Sequence, residues 1–111
     1  QPSGYLKWIK VRHGEEVRLI SIDEVCYFKA EDKYTVVKTL GGESLIKKSI
    51  RQLTGELDPD QFWRIHRGSI INVNWIAGVH RSFAGRYIVK LKKLPETLTV
   101  SRSYAHLFKQ M

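Results

Sequence analysis

One internal segment alone, residues 48–57, carries a helical period. Ile50, Leu53 and Leu57 fall at i, i+3 and i+7, on a single face. Asp58-Pro59-Asp60 ends it, because proline cannot continue a helix. Almost everywhere else the apolar residues come in short runs between turn signals, which is the pattern of strands. Strands are expected at residues 5–11, 17–20, 25–30, 34–40, 43–46, 62–65, 69–73, 78–81, 87–91 and 98–100. Gly14, Glu31-Asp32-Lys33, Gly41-Gly42 and the Gly85-containing stretch 82–86 supply turns. Residues 21–24 read as a connector, and residues 103–111 suit a short closing helix that packs Leu107 and Phe108. The expected fold is therefore mainly β: about ten short strands in Greek-key or meander pairing, one central short helix and a C-terminal helical turn. A parallel α/β fold does not fit, and no helix-turn-helix pair is visible. If such a chain reads DNA, loops, strands or the terminal helix must do it.

The 111 residues suffice for one domain, expected at residues 5–111, with residues 1–4 as a linker or cloning remnant. The first residue is Gln1 rather than Met, which reads as an excised piece of something longer. No apolar run approaches the roughly 20 residues of a membrane span, and no signal peptide is visible. The one cysteine, Cys26, lies in the apolar run Val25-Cys26-Tyr27-Phe28 and reads as a core residue in a reducing cytosol.

Charge is more informative than size. The net charge is +8. Residues 1–60 hold ten Lys/Arg and ten Asp/Glu, whereas residues 61–111 hold nine Lys/Arg and a single acid, Glu96. The whole excess therefore lies in the second half. A block of that kind suits nucleic acid first, then anionic lipid, then an acidic protein.

The stretch Phe62-Trp63-Arg64-Ile65-His66-Arg67-Gly68-Ser69-Ile70-Ile71-Asn72 concentrates the ambiguity. His66, Ser69 and Asn72 could belong to a catalytic site. Arg64, His66 and Arg67 could equally grip a phosphate backbone. A triad needs a carboxylate to orient its base, and the basic half offers only Glu96. The pairs Asp23/Glu24, Glu31/Asp32 and Asp58/Asp60 all sit in turns or connectors. His13, His66, His80 and His106 lack metal-ligand spacing. No enzyme, metal or cofactor is expected.

Three basic sites remain. In the first, Arg67 projects beside Gly68, a residue that lets the chain turn or approach a surface closely, while Ser69 offers a hydroxyl to a phosphate. The second is Ser101-Arg102-Ser103 at a strand-to-helix junction, with Ser103 as the expected cap of the final helix. The third is Lys47-Lys48-Ser49-Ile50-Arg51, at the serine-capped start of the central helix. Trp8, Trp63 and Trp75 are read as core or wall rather than as base-stacking platforms. Phe62 and Trp63, adjacent in a strand, should point to opposite faces.

The order of three segments resembles the LytTR DNA-binding domains of bacterial response regulators. Val25-Cys26-Tyr27-Phe28-Lys29-Ala30 followed by Tyr34-Thr35-Val36 is similar to "I-x-Y-I-E-A … N-Y-V". Residues 62–74 resemble "F-x-R-I-H-R-S-x-I-V-N-L-N", and residues 98–104 resemble "I-P-V-S-R-x-Y". The resemblance runs from about residue 7 to the end. Gly68 departs from it, standing where the family has Ser or Asn, and so does Trp75, in place of a smaller or polar residue.

The resemblance implies sequence-specific binding of double-stranded promoter DNA by a cytoplasmic transcription regulator. It implies an upstream receiver domain, a dimer on DNA from a domain monomeric in isolation, and imperfect direct repeats read by loops in successive major grooves. Base-contacting positions fall on Lys33, Arg67 and Arg102. Backbone-contacting positions fall at Lys48, Ser49, Arg64 and Ser103. Lys47, Ser69 and His66 join them as phosphate contacts, His66 alternatively bracing its loop. The competing expectations are a β-barrel binder of single-stranded nucleic acid or RNA, and a basic protein-interaction module. No membrane contact is expected.

Overall fold

The computed structural model describes residues 4–109. Gln1, Pro2 and Ser3 of the expected linker, and Gln110 and Met111 of the expected closing helix, lie outside the described residues. Among the described residues there are ten strands: β1 Trp8–His13, β2 Glu16–Ser21, β3 Tyr27–Glu31, β4 Tyr34–Thr39, β5 Gly42–Ile46, β6 Phe62–His66, β7 Ser69–Asn72, β8 Ile76–Arg81, β9 Tyr87–Leu91 and β10 Thr97–Thr99. One α-helix, α1 Ile50–Glu56, links β5 to β6. Short 3-10 turns lie at Ile22–Glu24, Val73–Trp75 and Arg102–Phe108.

The strands form three antiparallel sheets. A central five-stranded sheet has the order β5-β4-β3-β7-β6. The β1–β2 hairpin and the three-stranded β10-β9-β8 meander are separate. The central sheet is apolar on both faces, and successive residues of a strand divide between two cores. Phe28, Phe62 and Ile70 join Ile9, Val11, Ile50, Leu53 and Leu57 on the side of β1 and α1. Tyr27, Ile65 and Ile71 join Val89, Leu91, Leu98 and Val100 on the side of the meander. A sheet covered on both sides explains why Val25 to Phe28 and Ile70–Ile71 are continuous apolar runs rather than alternating ones.

Helix α1 follows its sequence signals. Ile50, Leu53 and Leu57 are all buried. Ser49 is the N-cap: its hydroxyl accepts from the Gln52 amide at 3.1 Å, and the Gln52 side chain accepts from the Ser49 amide at 2.9 Å. Asn72 is fully buried at the end of β7. Its side chain donates to the Val25 carbonyl at 2.9 Å and accepts from the Asn74 amide at 3.0 Å. That second bond starts the 3-10 turn and ends the strand at residue 72, one residue before the expected boundary.

Other expectations are corrected. Pairing of β1 begins at Trp8, opposite Ser21, not at residue 5. Trp8 is 56% exposed and is not core, since it lies on the face of β1 opposite the buried Ile9 and Val11. Trp63 and Trp75 are partly buried walls of the meander-side core. β8 starts at Ile76, with a register shift before Gly78. The last helical segment is a 3-10 turn that begins at Arg102, and Ser101 rather than Ser103 occupies its cap position, with no side-chain capping bond. Ser103 stands inside the turn, two residues past the cap position.

Candidate nucleic-acid interface

Strand polarity gathers two of the basic sites, together with the turn at Lys33, at one end of the central sheet. β3 ends at Glu31 and β4 begins at Tyr34, its pairing partner. Ile46, the last residue of β5, pairs with Thr35 beside them. β6 ends at His66 opposite Ser69, the first residue of β7, and Ser69 pairs with Lys29 of β3. The turn at Asp32-Lys33, the exit of β5 at Lys47-Lys48 and the turn at Arg67-Gly68 are therefore neighbours. With about 4.8 Å between strands, this row is about 20 Å across.

The fourth member arrives by a different route. The Ser101 amide donates to the Ile65 carbonyl at 2.9 Å, which fixes Arg102 beside the edge strand β6. A register shift between Arg64 and His66 leaves Ile65 without a partner residue on β7. Such a bulge turns the strand and re-aims the residues that follow it. Ile65 is fully buried, so the bulge is anchored from the core side.

The β6–β7 turn is held by its own side chains. Arg64 donates from Nη2 to the Arg67 carbonyl at 2.8 Å and, with longer geometry, from Nε to the His66 carbonyl at 3.4 Å. The Gly68 amide donates to His66 Nδ1 at 3.2 Å. Nδ1 is thus the acceptor that holds the turn. The Ala30 amide donates to the Gly68 carbonyl at 2.8 Å, which ties the turn to β3. Arg64 and His66 thus shape the loop, while Arg67 is exposed and makes no side-chain hydrogen bond or ion pair among the described residues.

Gly68 is not demanded by its backbone conformation, which is not left-handed. A Cβ placed on it would meet Ala30 Cβ at 3.5 Å and His66 Nδ1 at 3.8 Å, both ordinary contacts. The fold itself therefore does not require glycine at this turn. The strained position is Asp32, at φ +52°. It turns the β3–β4 hairpin and presents the exposed Lys33.

The remaining candidates differ in availability. Lys47 is exposed, whereas Lys48 pairs with Glu56 at 2.6 Å through side chains that are both substantially exposed. The Lys48 carbonyl accepts from the Thr35 hydroxyl at 2.6 Å, fixing the β5 exit against β4. The Ser49 hydroxyl is engaged as a helix cap, yet retains its own proton to donate. Ser69 is buried, and Arg102 and Ser103 are exposed.

The catalytic reading has no geometry behind it. Glu96 accepts from the Tyr27 hydroxyl at 2.9 Å and lies 3.6 Å from Lys38 Nζ, at the opposite end of the sheet from His66. A backbone hydrogen bond, then the Tyr27 hydroxyl and Lys38, hold the Glu96 carboxyl below its ordinary range against a smaller opposing effect of burial. Burial first, then the bond to Glu96, raises Tyr27 well above the usual phenol range. Burial also raises the Cys26 thiol, which is not set up as a nucleophile. Asn72 is occupied by backbone groups. Among the described residues no three His, Cys, Asp or Glu side chains gather as a metal site requires.

Sequence reasoning missed one group of cations. Arg81, Arg86 and Lys109 line a cavity of about 280 Å³ together with Arg102. Residues 82–86 signalled only a turn. The arginines that flank it were the available clue, and Lys109 is brought in by the closing 3-10 turn, whose packing place no local pattern predicts.

Comparison with known proteins bears on family and fold. The family model described as the LytTr DNA-binding domain matches residues 15–111. A response regulatory protein of Vibrio cholerae is 43% identical over 109 residues, covering 95% of this chain and 41% of that protein. The transcriptional regulatory protein YpdB of Escherichia coli (strain K12) is 31% identical over 103 residues, covering 93% and 42%. The chain thus spans about two fifths of the length of these relatives. A solved LytTr DNA-binding domain from Bacillus cereus superposes with a TM-score of 0.84 at 26% identity, covering 93% of this chain and 94% of that one.

Proposed function

The chain belongs to the LytTr DNA-binding domain family, and from that premise we propose that it binds double-stranded promoter DNA sequence-specifically as the output domain of a two-component response regulator. The observation that carries this reading is the convergence of Lys33, Lys47, Arg67 and Arg102 along one end of the central sheet. Arg67 and Arg102, each with five donors in a fixed fork, suit base edges in the major groove, and Lys33 is the third base contact. Lys47, Lys48, Ser49, Arg64, His66 and Ser103 serve the backbone, His66 and Arg64 chiefly by holding the β6–β7 turn in shape, while the side chain of Ser69 is buried. The domain comprises residues 5–111, works in the cytoplasm without catalysis, follows a receiver domain, and pairs on direct repeats while remaining a monomer free in solution. No described helix is long and apolar enough to cross a membrane.

Single-strand binding is disfavoured by two of the three tryptophans. Trp63 and Trp75 pack against the meander-side core rather than forming a stacking platform. Selection of bound duplexes from random DNA tests the proposal. A direct-repeat motif is expected, with weaker specific binding by Arg67→Ala and Arg102→Ala. A clear preference for single strands, or unchanged specific binding by both variants, sinks it.

A further inference from the structure

The β8–β9 turn makes a closed loop. The Ser82 amide donates to the Arg86 carbonyl at 2.7 Å, the Gly85 amide to the Ser82 carbonyl at 2.9 Å, and the Arg86 amide to the Ser82 hydroxyl at 3.2 Å. Gly85, at φ +85°, supplies the left-handed residue that closes it. The loop therefore presents Arg81 and Arg86 at its two ends from a bonded frame. Arg81 is further placed by Tyr87, with Cζ 5.1 Å from the ring centroid.

Across the loop stand Arg102 and Lys109, at the two ends of the closing 3-10 turn. The four cations line one cavity whose other walls are Ala84, Gly85, Tyr87, Val100 and Ala105. No carboxylate lines it, and among the described residues none of the four is ion-paired. Four positive side chains around one concavity repel one another unless an anion lies between them. Small walls leave room for a tetrahedral anion to approach. The cavity shares Arg102 with the end of the sheet, so an anion held there and a base contacted by Arg102 belong to one continuous surface.

We infer that Arg81, Arg86 and Lys109, with Arg102 at the border, form a phosphate clamp for the DNA backbone flanking the bases read at the sheet end. The inference rests on the DNA-binding reading above and extends it to a second structural unit, the β8–β10 meander. Arg102 joins the two parts, since it is the residue that both surfaces contain. The clamp adds affinity without base preference, because phosphate contacts position the protein and carry no sequence.

The test compares the 111-residue chain with its Arg81→Ala/Arg86→Ala variant on one duplex selected by the wild type, at several salt concentrations. The duplex is then shortened stepwise from each end. Both arginines are exposed, so the variant is expected to fold, and its circular dichroism and melting are measured alongside. On the long duplex the variant should bind roughly tenfold more weakly, with a salt slope shallower by about two units and unchanged base preference. Shortening one end should erase the difference from wild type. Arg102→Ala separates the two levels of the argument. If it weakens binding while the double variant keeps wild-type affinity and slope, the clamp is wrong and the DNA reading stands. If neither variant weakens binding, both fall. If inorganic phosphate moves the amide signals of residues 81–87 at micromolar concentration and the long duplex does not, the cavity takes a free anion and the assignment to DNA is overturned.

Discussion

Tyr27 donates its hydroxyl to the carboxylate of Glu96 at 2.9 Å across 69 residues of sequence. The bond fastens the first residue of β3 to the segment that enters β10, and so ties the central sheet to the meander. Lys38, 3.6 Å from the same carboxylate, makes it a three-membered cluster. The single acid of the basic half is therefore a fastener between layers.

This cluster should be visible in the pH dependence of stability. Glu96 is held below its ordinary range in the folded state. Its contribution is complete above the unfolded carboxyl value of about 4.3 and is lost as pH falls through the lower folded value. Tyr27 is raised, so its contribution is complete below the unfolded phenol value of about 10 and is lost as pH rises above it. Tyr27→Phe should cost about 1 kcal/mol at pH 7. Urea titrations across the pH range should show that difference shrinking at both extremes. A constant difference from pH 2 to pH 11 would contradict the assignment.

Arg64 and Arg67 should separate cleanly despite standing three residues apart. Arg67→Ala should change unfolding free energy by less than about 0.5 kcal/mol yet cost about 1–3 kcal/mol at the cognate site. Arg64→Ala removes the donors to two turn carbonyls. It should lower stability by about 1 kcal/mol and speed amide exchange at Gly68. Equal exchange rates in the two variants would remove the bracing role.

Gly68→Ser should be accepted. The position needs no left-handed backbone and leaves room for a Cβ. Restricting the unfolded chain should make the variant more stable, by about 0.4–1 kcal/mol. Thermal melting checks this, and a loss of more than about 1 kcal/mol would place an unseen clash at the turn.

Asn72→Ala should be among the most damaging single changes. It leaves the buried Val25 carbonyl and the Asn74 amide without their partner, at about 1–3 kcal/mol or more. Denaturant midpoints give the number. Asn72→Ala with wild-type stability would mean that another group satisfies both atoms.

Much of this was legible in the residues. The strand runs, the capped helix and the burial of Cys26, Ile65 and Ile70 follow from local pattern, because each depends on neighbours close in sequence. The coming together of Lys33, Lys47, Arg67 and Arg102 was legible only through resemblance, since it depends on which strands pair. The exposure of Trp8 was not legible: alternation gives two faces and does not say which one the core will cover. Nor was the cap of the last turn. Ser101 and Ser103 are chemically equal candidates, and the bond from the Ser101 amide to Ile65 decides between them. The cations around Arg102 escaped notice because Arg81, Arg86 and Lys109 meet only in three dimensions.

The bulge at Ile65 has a bearing on crowding. The rim of a β-sheet is a template on which another chain can lay a strand, and proteins blunt it with kinks or cover. The β6 rim is kinked by the bulge, and its Ile65 carbonyl is already taken by Ser101. A second copy of the chain finds no straight ladder there to extend. The domain can thus be concentrated without that rim seeding strand-to-strand aggregation.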